Sequence, residues 1–459
     1  MRTPDEITII GGGLAGSEAA WQLAERGHRV ALYEMRPVRT TPAHKTDQLA
    51  ELVCSNTFKS TEATTAHGLL KAEMRELGSV ILTAADEARV PGGTALAVDR
   101  ALFAAGVQAR VTAHPNVRVV REEVTTLPEV GIIATGPLTS DALATALAAR
   151  LGQESLAFYD AIAPVVAVES VDPAVTFRAS RWGRETMDGA ADAGAAEGAY
   201  LNCPMERAEY EAFLDALVAA DQATAHAFDA VPYFEGCMPV EEMARRGRDT
   251  LRFGPLKPVG LTDPRTGRRP WAVVQLRQED RAGRMWNLVG FQTRLRYPEQ
   301  QRVFRMIPGL AEAEFLRFGS IHRNSYVNTP AALTPHLALR DGPTTLVAGQ
   351  LTGVEGYTES TATGLLAAVN LDRLLRGVAP VLPPPTTMFG ALYRHLREAD
   401  PHHFQPMNAN FGLVDELAEP ARDKLAKRGR MAERALADFR AWRDDALGAS
   451  ARVALGVAA

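Results

Sequence analysis

Three cysteines are the side chains of this 459-residue sequence best suited to act as nucleophiles. Cys54 lies in ELVCSNTFKS, where the charge of Lys59 would favour the reactive thiolate; the alternative is a small buried core residue. Cys237 lies in EGCMPVEEMARRG, before a predicted helix whose dipole favours a thiolate, although Glu235 and two following acids oppose it. Cys203, in YLNCPM, is predicted to be structural, at a strand end. Two thiols are therefore candidates for covalent chemistry.

The spacing of the cysteines argues against several other roles. They lie far apart, without a CxxC pair or a Cys/His cluster, so we expect no disulfide framework and no metal site, and a reducing compartment. The first residues, MRTPDEITIIGGG, have acids where a signal peptide needs positive charge. No uninterrupted apolar segment is long enough to cross a bilayer. These features predict a cytoplasmic protein with no membrane partner.

A glycine-rich turn near the N-terminus predicts a dinucleotide site. The strand EITII, the turn and helix GGGLAGSEAAWQLAERG, and the strand HRVALYE form a βαβ unit, and Glu34 ends its second strand. Glycines let the backbone approach a pyrophosphate at the helix N-terminus, and Glu34 would accept from a ribose hydroxyl. The predicted cofactor contacts in the turn are Gly11, Gly12, Gly13, Leu14, Ala15 and Gly16.

Two later segments must belong to the same domain, and they favour FAD over NAD. EVGIIATGPLTS is a strand with a tight end at Gly136, and TTLVAGQLTGVEGYTESTATGLLAAVN is again strand, glycine turn and helix. The turn of the second segment adds Gly349, Gln350 and Gly353 as cofactor contacts. The expected fold is therefore α/β, with a Rossmann-like FAD-binding domain, a large inserted α+β domain and C-terminal helices. The expected boundaries are 1–155 and 320–380 for the FAD domain, 156–319 for the insertion and 381–459 for the helical segment.

The charge distribution suggests a polyanionic partner. The formal net charge is -5, yet residues 245–305 hold 15 Lys/Arg against 5 Asp/Glu. This basic block would place positive charge on one face of the insertion. The alternative is that its arginines pair with acids elsewhere in the fold.

Motifs along most of the chain resemble one family. The segments IIGGGLAGSEAAWQLAERG, YEMRP, LVCSNTFKS, YLNCPM, FEGCMPVEEMARRG, LRFGPLKPVGL, NLVGFQTRLRYPEQ, HRNSYVNTP and GQLTGVEGYTES are similar to the folate-dependent tRNA (uracil-5-)-methyltransferases, flavoproteins related to the larger GidA proteins. The resemblance extends from Ile7 to about Phe411. It implies methylation of the T-loop uridine at tRNA position 54 to ribothymidine. Methylenetetrahydrofolate would donate the carbon, and FAD reduced by NAD(P)H would supply electrons.

The resemblance also implies roles for individual residues. Cys237 would add to uracil C6, which makes C5 nucleophilic, and Cys54 would act beside the flavin. Glu235 is a weak candidate for the base, more typical of a structural or solvated acid. His322 or Tyr357 would stack on a pterin; the alternative is that these lone aromatic residues belong to a core. The substrate contacts that remain are Arg294 and Arg296, which would bind phosphates of the tRNA T-arm.

Two other functions remain open at this stage. One is a small-molecule flavoprotein oxidoreductase, which the basic block and the two cysteine motifs oppose. The other is a FAD-bearing RNA-binding partner in a GidA-like tRNA modification complex. The sequence does not determine the oligomeric state, although a monomer is slightly favoured, nor does it distinguish NADH from NADPH.

Overall fold

The computed structural model describes residues 4–41, 43–152, 156–183, 198–223, 238–419 and 423–454, without the side chains of 156–160, 322–323 and 449–454. The strands are β1 (Ile7–Ile10), β2 (Val30–Glu34), β3 (Thr57–Ser60), β4 (Arg89–Val90), β5 (Ala95–Val98), β6 (Val117–Arg121), β7 (Gly131–Ile133), β8 (Leu156–Ile162), β9 (Val165–Ala167), β10 (Phe177–Arg178), β11 (Tyr200–Met205), β12 (Ala272–Gln278), β13 (Met285–Leu288), β14 (Phe315–Arg317), β15 (Ser320–Tyr326), β16 (Ala338–Leu339) and β17 (Gly342–Val347). The helices are α1 (Leu14–Glu25), α2 (Ala66–Arg75), α3 (Val80–Glu87), α4 (Arg100–Ala113), α5 (Asp141–Leu151), α6 (Arg207–Ala219), α7 (Val240–Arg245), α8 (Thr250–Phe253), α9 (Tyr297–Phe304), α10 (Thr329–Ala332), α11 (Tyr357–Leu375), α12 (Met388–Glu398) and α13 (Lys424–Ala454).

A six-stranded sheet in the order β16-β17-β7-β1-β2-β6 carries the glycine turn. All neighbours are parallel except β16, which runs antiparallel to β17. The apolar side chains of β1, β7 and β17 are buried, as expected for a parallel sheet covered by helices. A Cβ added at Gly364 of α11 would lie 2.2 Å from the Ala15 carbonyl oxygen, so α11 packs directly on α1. This arrangement confirms the Rossmann-like fold class.

A second sheet lies within the predicted insertion. Its order is β10-β11-β12-β13-β9-β14, and every pair is antiparallel. Its apolar residues form a separate core with α6, α7 and α9, which includes the fully buried Trp286. The mixed α and β content of this part is also as expected. At its two ends, β8 and β15 pair antiparallel along their whole lengths.

Cys203 lies inside a strand rather than at its end, which corrects the expectation. β11 continues through Pro204 to Met205 beside β12. Proline has no N–H to donate to a neighbouring strand. β10 pairs only with Leu201 and Asn202, so Pro204 has a paired strand on one side only. Cys203 is fully buried, and burial raises the pKa of its thiol to about 12. Both observations support a structural role.

The two C-terminal helices, α12 and α13, pack against the core formed by the parallel sheet and its helices. Met388, Phe389 and Phe439 are buried in this core. The carboxylate of Glu73 in α2 accepts from the N–H groups of Met388 at 2.9 Å and Phe389 at 2.8 Å, which caps α12. Arg440 and Arg443 of α13 pair with Glu76. None of the helices within the described ranges has both the length and the apolar character needed to cross a membrane.

Candidate active site

The three glycines of the G-x-G-x-x-G motif, Gly11, Gly13 and Gly16, meet different constraints. Gly11 has φ +103°, and a Cβ there would lie 2.5 Å from the Ala134 carbonyl oxygen. A Cβ at Gly16 would lie 1.8 Å from the Gly11 carbonyl oxygen, so this glycine lets the helix approach the strand. A Cβ at Gly13 would meet no protein atom within 4 Å, and Gly13 borders a cavity of about 70 Å³. This open position beside the N-terminus of α1 suits a phosphate group.

Glu34 reaches the same cavity at the end of β2. Its carboxylate accepts from the Gly12 N–H at 3.0 Å and from Arg36 Nε at 2.9 Å. Burial raises the pKa of Glu34, but these hydrogen bonds and the Arg36 charge more than offset that effect, so the net pKa is lowered. The carboxylate is therefore ionised and able to accept a further hydrogen bond from a ribose hydroxyl. Arg36, which also pairs with Glu51, is a part of this site that the sequence did not indicate.

A second cavity, of about 240 Å³, lies beside the first. Leu138 borders both cavities, so they are neighbours along the carboxyl edge of the parallel sheet. Cys54, Gln350 and Tyr357 line the second cavity, together with Arg277 and Asn287 from the antiparallel sheet. Such a pair of neighbouring cavities suits an elongated dinucleotide whose reactive end lies beside Cys54.

The loop that carries Cys54 is fixed from three directions. Arg100 of α4 donates to the carbonyl oxygens of Leu52 at 2.7 Å and Cys54 at 3.0 Å, and it pairs with Glu279 at 2.6 Å. Asn56 donates to the Gln278 carbonyl oxygen at 2.8 Å. Burial would lower the pKa of Arg100, but Glu279 keeps it raised, so Arg100 stays charged. The position of the thiol thus depends on α4 and on the end of β12 in the antiparallel sheet.

Tyr357 provides the third direction. Its hydroxyl oxygen accepts from the backbone N–H groups of Cys54 at 2.9 Å and Ser55 at 3.1 Å. Burial raises the pKa of Tyr357 far above its usual range, and the nearby Cys54 adds to this effect, so the hydroxyl is neutral. The sequence predicted a stacking role for this ring. The ring does line the cavity, but its hydroxyl also positions the cysteine loop.

A buried carboxylate, Glu359, follows Tyr357 in the first turn of α11. The Glu359 carboxylate is 3.0 Å from His67 Nδ1 and accepts from the Ala409 N–H at 2.9 Å. Burial raises its pKa, but the His67 hydrogen bond and the Lys59 charge lower it to about 2. Lys71 Nζ donates to the Phe58 carbonyl oxygen at 2.7 Å, and burial lowers its pKa to about 7. These groups surround β3, and Lys71 bonds to it directly. Because they lie in separate parts of the chain, no sequence pattern predicted their contacts.

Comparisons with known proteins identify the family. Residues 6–379 match the family described as "Glucose inhibited division protein A". Several relatives carry the name methylenetetrahydrofolate–tRNA-(uracil-5-)-methyltransferase TrmFO. The protein from Geobacter sulfurreducens is 57% identical over 438 residues, which cover 95% of this chain and 98% of the relative. The protein from Desulforudis audaxviator is 56% identical over 439 residues, again 95% of this chain and 98% of the relative. The chain belongs to the TrmFO family.

The fold of this TrmFO-family chain is also that of a solved GidA structure. Aquifex aeolicus GidA in its form II crystal superimposes with a TM-score of 0.68 at 16% sequence identity. The match covers 98% of this chain and 75% of the GidA chain. This likeness supports the fold alone, and it agrees with the predicted relation to GidA.

The sequence-predicted residues of this TrmFO-family member fall into three groups. Cys237 and Glu235 lie outside the described residues, and so does the side chain of His322. Gly12 lies in the turn, Leu14 and Ala15 begin α1, and Gly136 and Gly349 lie shortly after the ends of β7 and β17. Gly353 lines neither cavity, and a Cβ there would lie 2.5 Å from the Phe404 ring. Among the described residues no cluster of His, Cys, Asp or Glu could hold a metal ion.

Part of the basic block is paired with acids within the fold, as the alternative reading of the sequence proposed. Arg294 donates to Glu242 at 2.7 Å, whereas Arg296 is exposed at the start of α9. Other pairs in the block are Arg245–Glu242, Arg252–Asp249, Arg265–Asp263, Arg284–Asp280 and Arg302–Glu299. The local excess of positive charge remains, but fewer of its arginines are available to a polyanion than the count suggests.

Proposed function

We propose that this protein methylates C5 of the T-loop uridine at tRNA position 54, using methylenetetrahydrofolate and FAD. The observation that carries the proposal is the identity of 53–57% to TrmFO proteins over 94–95% of the chain. The geometry agrees, because a thiol lines a cavity next to a dinucleotide turn. Of the functions left open by the sequence, neither the oxidoreductase nor the RNA-binding partner without chemistry is favoured by any of these relatives.

The residues fit FAD at both ends. The open space at Gly13 and the N-terminus of α1 would hold the pyrophosphate, and Glu34 would accept from the ribose. Gln350 and Tyr357 would border the flavin end of the cofactor. When bound and reduced by NAD(P)H, FAD supplies the two electrons that take the folate carbon from the formaldehyde to the methyl level.

The protein supplies the nucleophile and the positions of the reactants. A thiolate adds to uracil C6, and C5 then has enolate character and attacks the one-carbon unit, whose bond to its carrier nitrogen breaks. The C5 proton leaves to a base, and the thiolate departs. We assign C6 addition to Cys237 and a flavin-side role to Cys54, which the cavity position of Cys54 supports. His322 and Tyr357 are proposed to contact the pterin.

The organisation of the protein is part of the proposal. Residues 1–155 and 320–380 would form the FAD domain, 156–319 the substrate domain and 381–459 the helical segment. The two separate cores support the division between 156–319 and the rest of the chain. The tRNA T-arm would lie on the substrate domain. A cytoplasmic monomer is the proposed state.

The purified protein should form ribothymidine without any partner. A T-loop RNA, methylenetetrahydrofolate and NADPH or NADH are incubated with the yellow protein, and the digested nucleosides are analysed by mass spectrometry. Omission of the folate or the reductant should stop product formation. Flavin reduction without methyl transfer would indicate an oxidoreductase, and tight RNA binding without turnover would indicate a partner protein.

Arg296→Ala should weaken tRNA binding and reduce the slope of log affinity against log salt by about one unit, the value for one lost phosphate contact. Arg294→Ala is the matched control, because its guanidinium pairs with Glu242 and should contribute little to the slope. FAD content should stay the same in both variants. Equal slopes for Arg296→Ala and the wild type would remove Arg296 from the phosphate-binding surface.

A further inference from the structure

A stack of aromatic rings reaches the surface beside the antiparallel six-stranded sheet. The ring centroids of Tyr297 and Phe318 are 4.7 Å apart with 16° between the ring planes, and those of Phe318 and Phe315 are 5.4 Å apart with 12°. The Phe315 ring lies 6.5 Å from that of Phe304, which is fully buried in the core of this sheet. Three nearly parallel rings therefore extend outward from this core and end at Tyr297.

The outer face of the Tyr297 ring is open. One face packs on Phe318, and the residue is still 56% exposed. Tyr297 is the first residue of α9, and Gln300 attaches this helix to Gly319: its side-chain amide donates to the Gly319 carbonyl oxygen at 2.9 Å and accepts from the Gly319 N–H at 2.8 Å. The ring is therefore a flat, fixed surface open on one side, unlike an aromatic residue that fills a core.

The uncompensated charge beside this ring is positive. Arg296 precedes Tyr297, is exposed, and forms no ion pair with any of the described residues. Glu299, the acid in the first turn of α9, pairs with Arg302 at 2.6 Å and accepts from the Asp221 N–H at 3.3 Å. An unpaired cation next to an open ring suits a nucleotide, with the phosphate at the guanidinium and the base on the ring.

Both segments that carry the stack run to the wall of the larger cavity. Gln292 lines that cavity five residues before Tyr297, and five residues span at most about 18 Å. A Cβ added at Gly319, the residue after Phe318, would lie 2.6 Å from the carbonyl oxygen of Ile162, which also lines the cavity. The ring therefore lies within reach of the nucleotides that flank a base held in the cavity.

We propose that the outer face of Tyr297 is a stacking platform for an unpaired base of the substrate RNA, a neighbour of the uridine that enters the larger cavity. A base that enters a cavity leaves its own stack, so its unpaired neighbour loses a partner that an exposed ring can replace. The inference rests on the proposed function in taking the T-loop as the ligand, and it assigns no chemistry to Tyr297. Stacking neutralises no phosphate, so the platform adds affinity without adding salt dependence.

Binding of a T-loop stem-loop RNA to the full-length, FAD-loaded protein tests this proposal. Tyr297→Ala should weaken binding about tenfold, equivalent to about 1.4 kcal/mol of lost stacking, and leave the slope of log affinity against log salt unchanged. Tyr297→Leu, which keeps an apolar cover over Phe318 without a ring, should show the same loss, and Tyr297→Phe should bind as the wild type. Leu316→Ala is the matched control, because Leu316 is 46% exposed in the same part of the surface chain but carries no ring, and it should also bind as the wild type.

A fluorescent base gives a second readout. 2-Aminopurine replaces the unpaired bases of the loop one at a time, and its emission is quenched when it stacks on a ring. At one position next to the target uridine, emission in the complex should be lower with the wild type and Tyr297→Phe than with Tyr297→Ala or Tyr297→Leu.

Several results would overturn the proposal. They are wild-type affinity in Tyr297→Ala or Tyr297→Leu with FAD content and melting temperature retained, an equal loss in Leu316→Ala, a changed salt slope in Tyr297→Ala, and emission that is the same in all variants at every loop position. Altered sedimentation of Tyr297→Ala with unchanged RNA affinity would also overturn it, and would assign the ring to contact with a second copy of the chain. Because binding is measured without folate or reductant, a protein that bound the RNA in this way but formed no ribothymidine would contradict the proposed function alone.

Discussion

Cys54→Ala is expected to lower ribothymidine formation at least about a thousandfold while the protein keeps its FAD, a loss typical of removing a group that acts in covalent catalysis. The thiol lines the cavity, and the loop around it is fixed through backbone atoms by Arg100 and Tyr357, so the substitution removes chemistry and leaves the loop in place. Cys203→Ala is the matched control. It should stay active and lose about 1 kcal/mol of stability, since it removes a small buried group in β11. Nucleoside analysis and the visible flavin band provide the two readouts.

The same assay tests the separate roles proposed for Cys237 and Cys54. Cys237→Ala should bind FAD and tRNA and form no ribothymidine. T-loop RNA that carries 5-fluorouracil should form a stable adduct with the wild type, because fluorine cannot leave as the proton does. Peptide mapping should place the adduct at Cys237. Attachment at Cys54 would exchange the two assignments, and attachment at neither would contradict thiolate addition.

Gly13→Val should reduce FAD affinity at least about tenfold, which corresponds to ~1.4 kcal/mol. The backbone at Gly13 is extended, with φ -73° and ψ -167°, and a Cβ there meets no protein atom within 4 Å. The apoprotein should therefore fold, and the added methyl groups should occupy the space proposed for the pyrophosphate.

Gly429→Val is the control for this substitution, because Gly429 also has open space around it and lies in α13, remote in sequence from the turn. Flavin absorbance per protein and circular dichroism of both apoproteins measure cofactor and fold separately. A Gly13→Val protein that purifies with full FAD content would mean that the pyrophosphate lies elsewhere.

Local patterns in the sequence were enough to predict the parts of the fold that depend on neighbours in the chain. Segments of about 10 to 30 residues were enough to predict the turn at Gly11 to Gly16 and the strands β1, β2, β7 and β17. The internal pairing of the basic block was also partly visible. Arg245–Glu242, Arg252–Asp249 and Arg302–Glu299 are three residues apart, a spacing that places both side chains on one face of a helix.

The environment of Cys54 could not be predicted in the same way. Tyr357 is separated from Cys54 by 303 residues, and Arg100 is separated from Glu279 by 179. No spacing rule joins such residues, because tertiary packing alone brings them together. A single sequence therefore identified the thiol without the groups that hold its loop in place.

The three-direction attachment of the Cys54 loop has a consequence for how this protein can be divided. The glycine turn requires only the parallel sheet, but the thiol requires Glu279 and Gln278 from the antiparallel sheet as well. A fragment that lacked the insertion would keep its phosphate cradle and lose the anchor of its thiol. The reactivity of the Cys54 thiol therefore depends on contacts between its loop and the antiparallel sheet. The rate of Cys54 alkylation reports whether these contacts are intact.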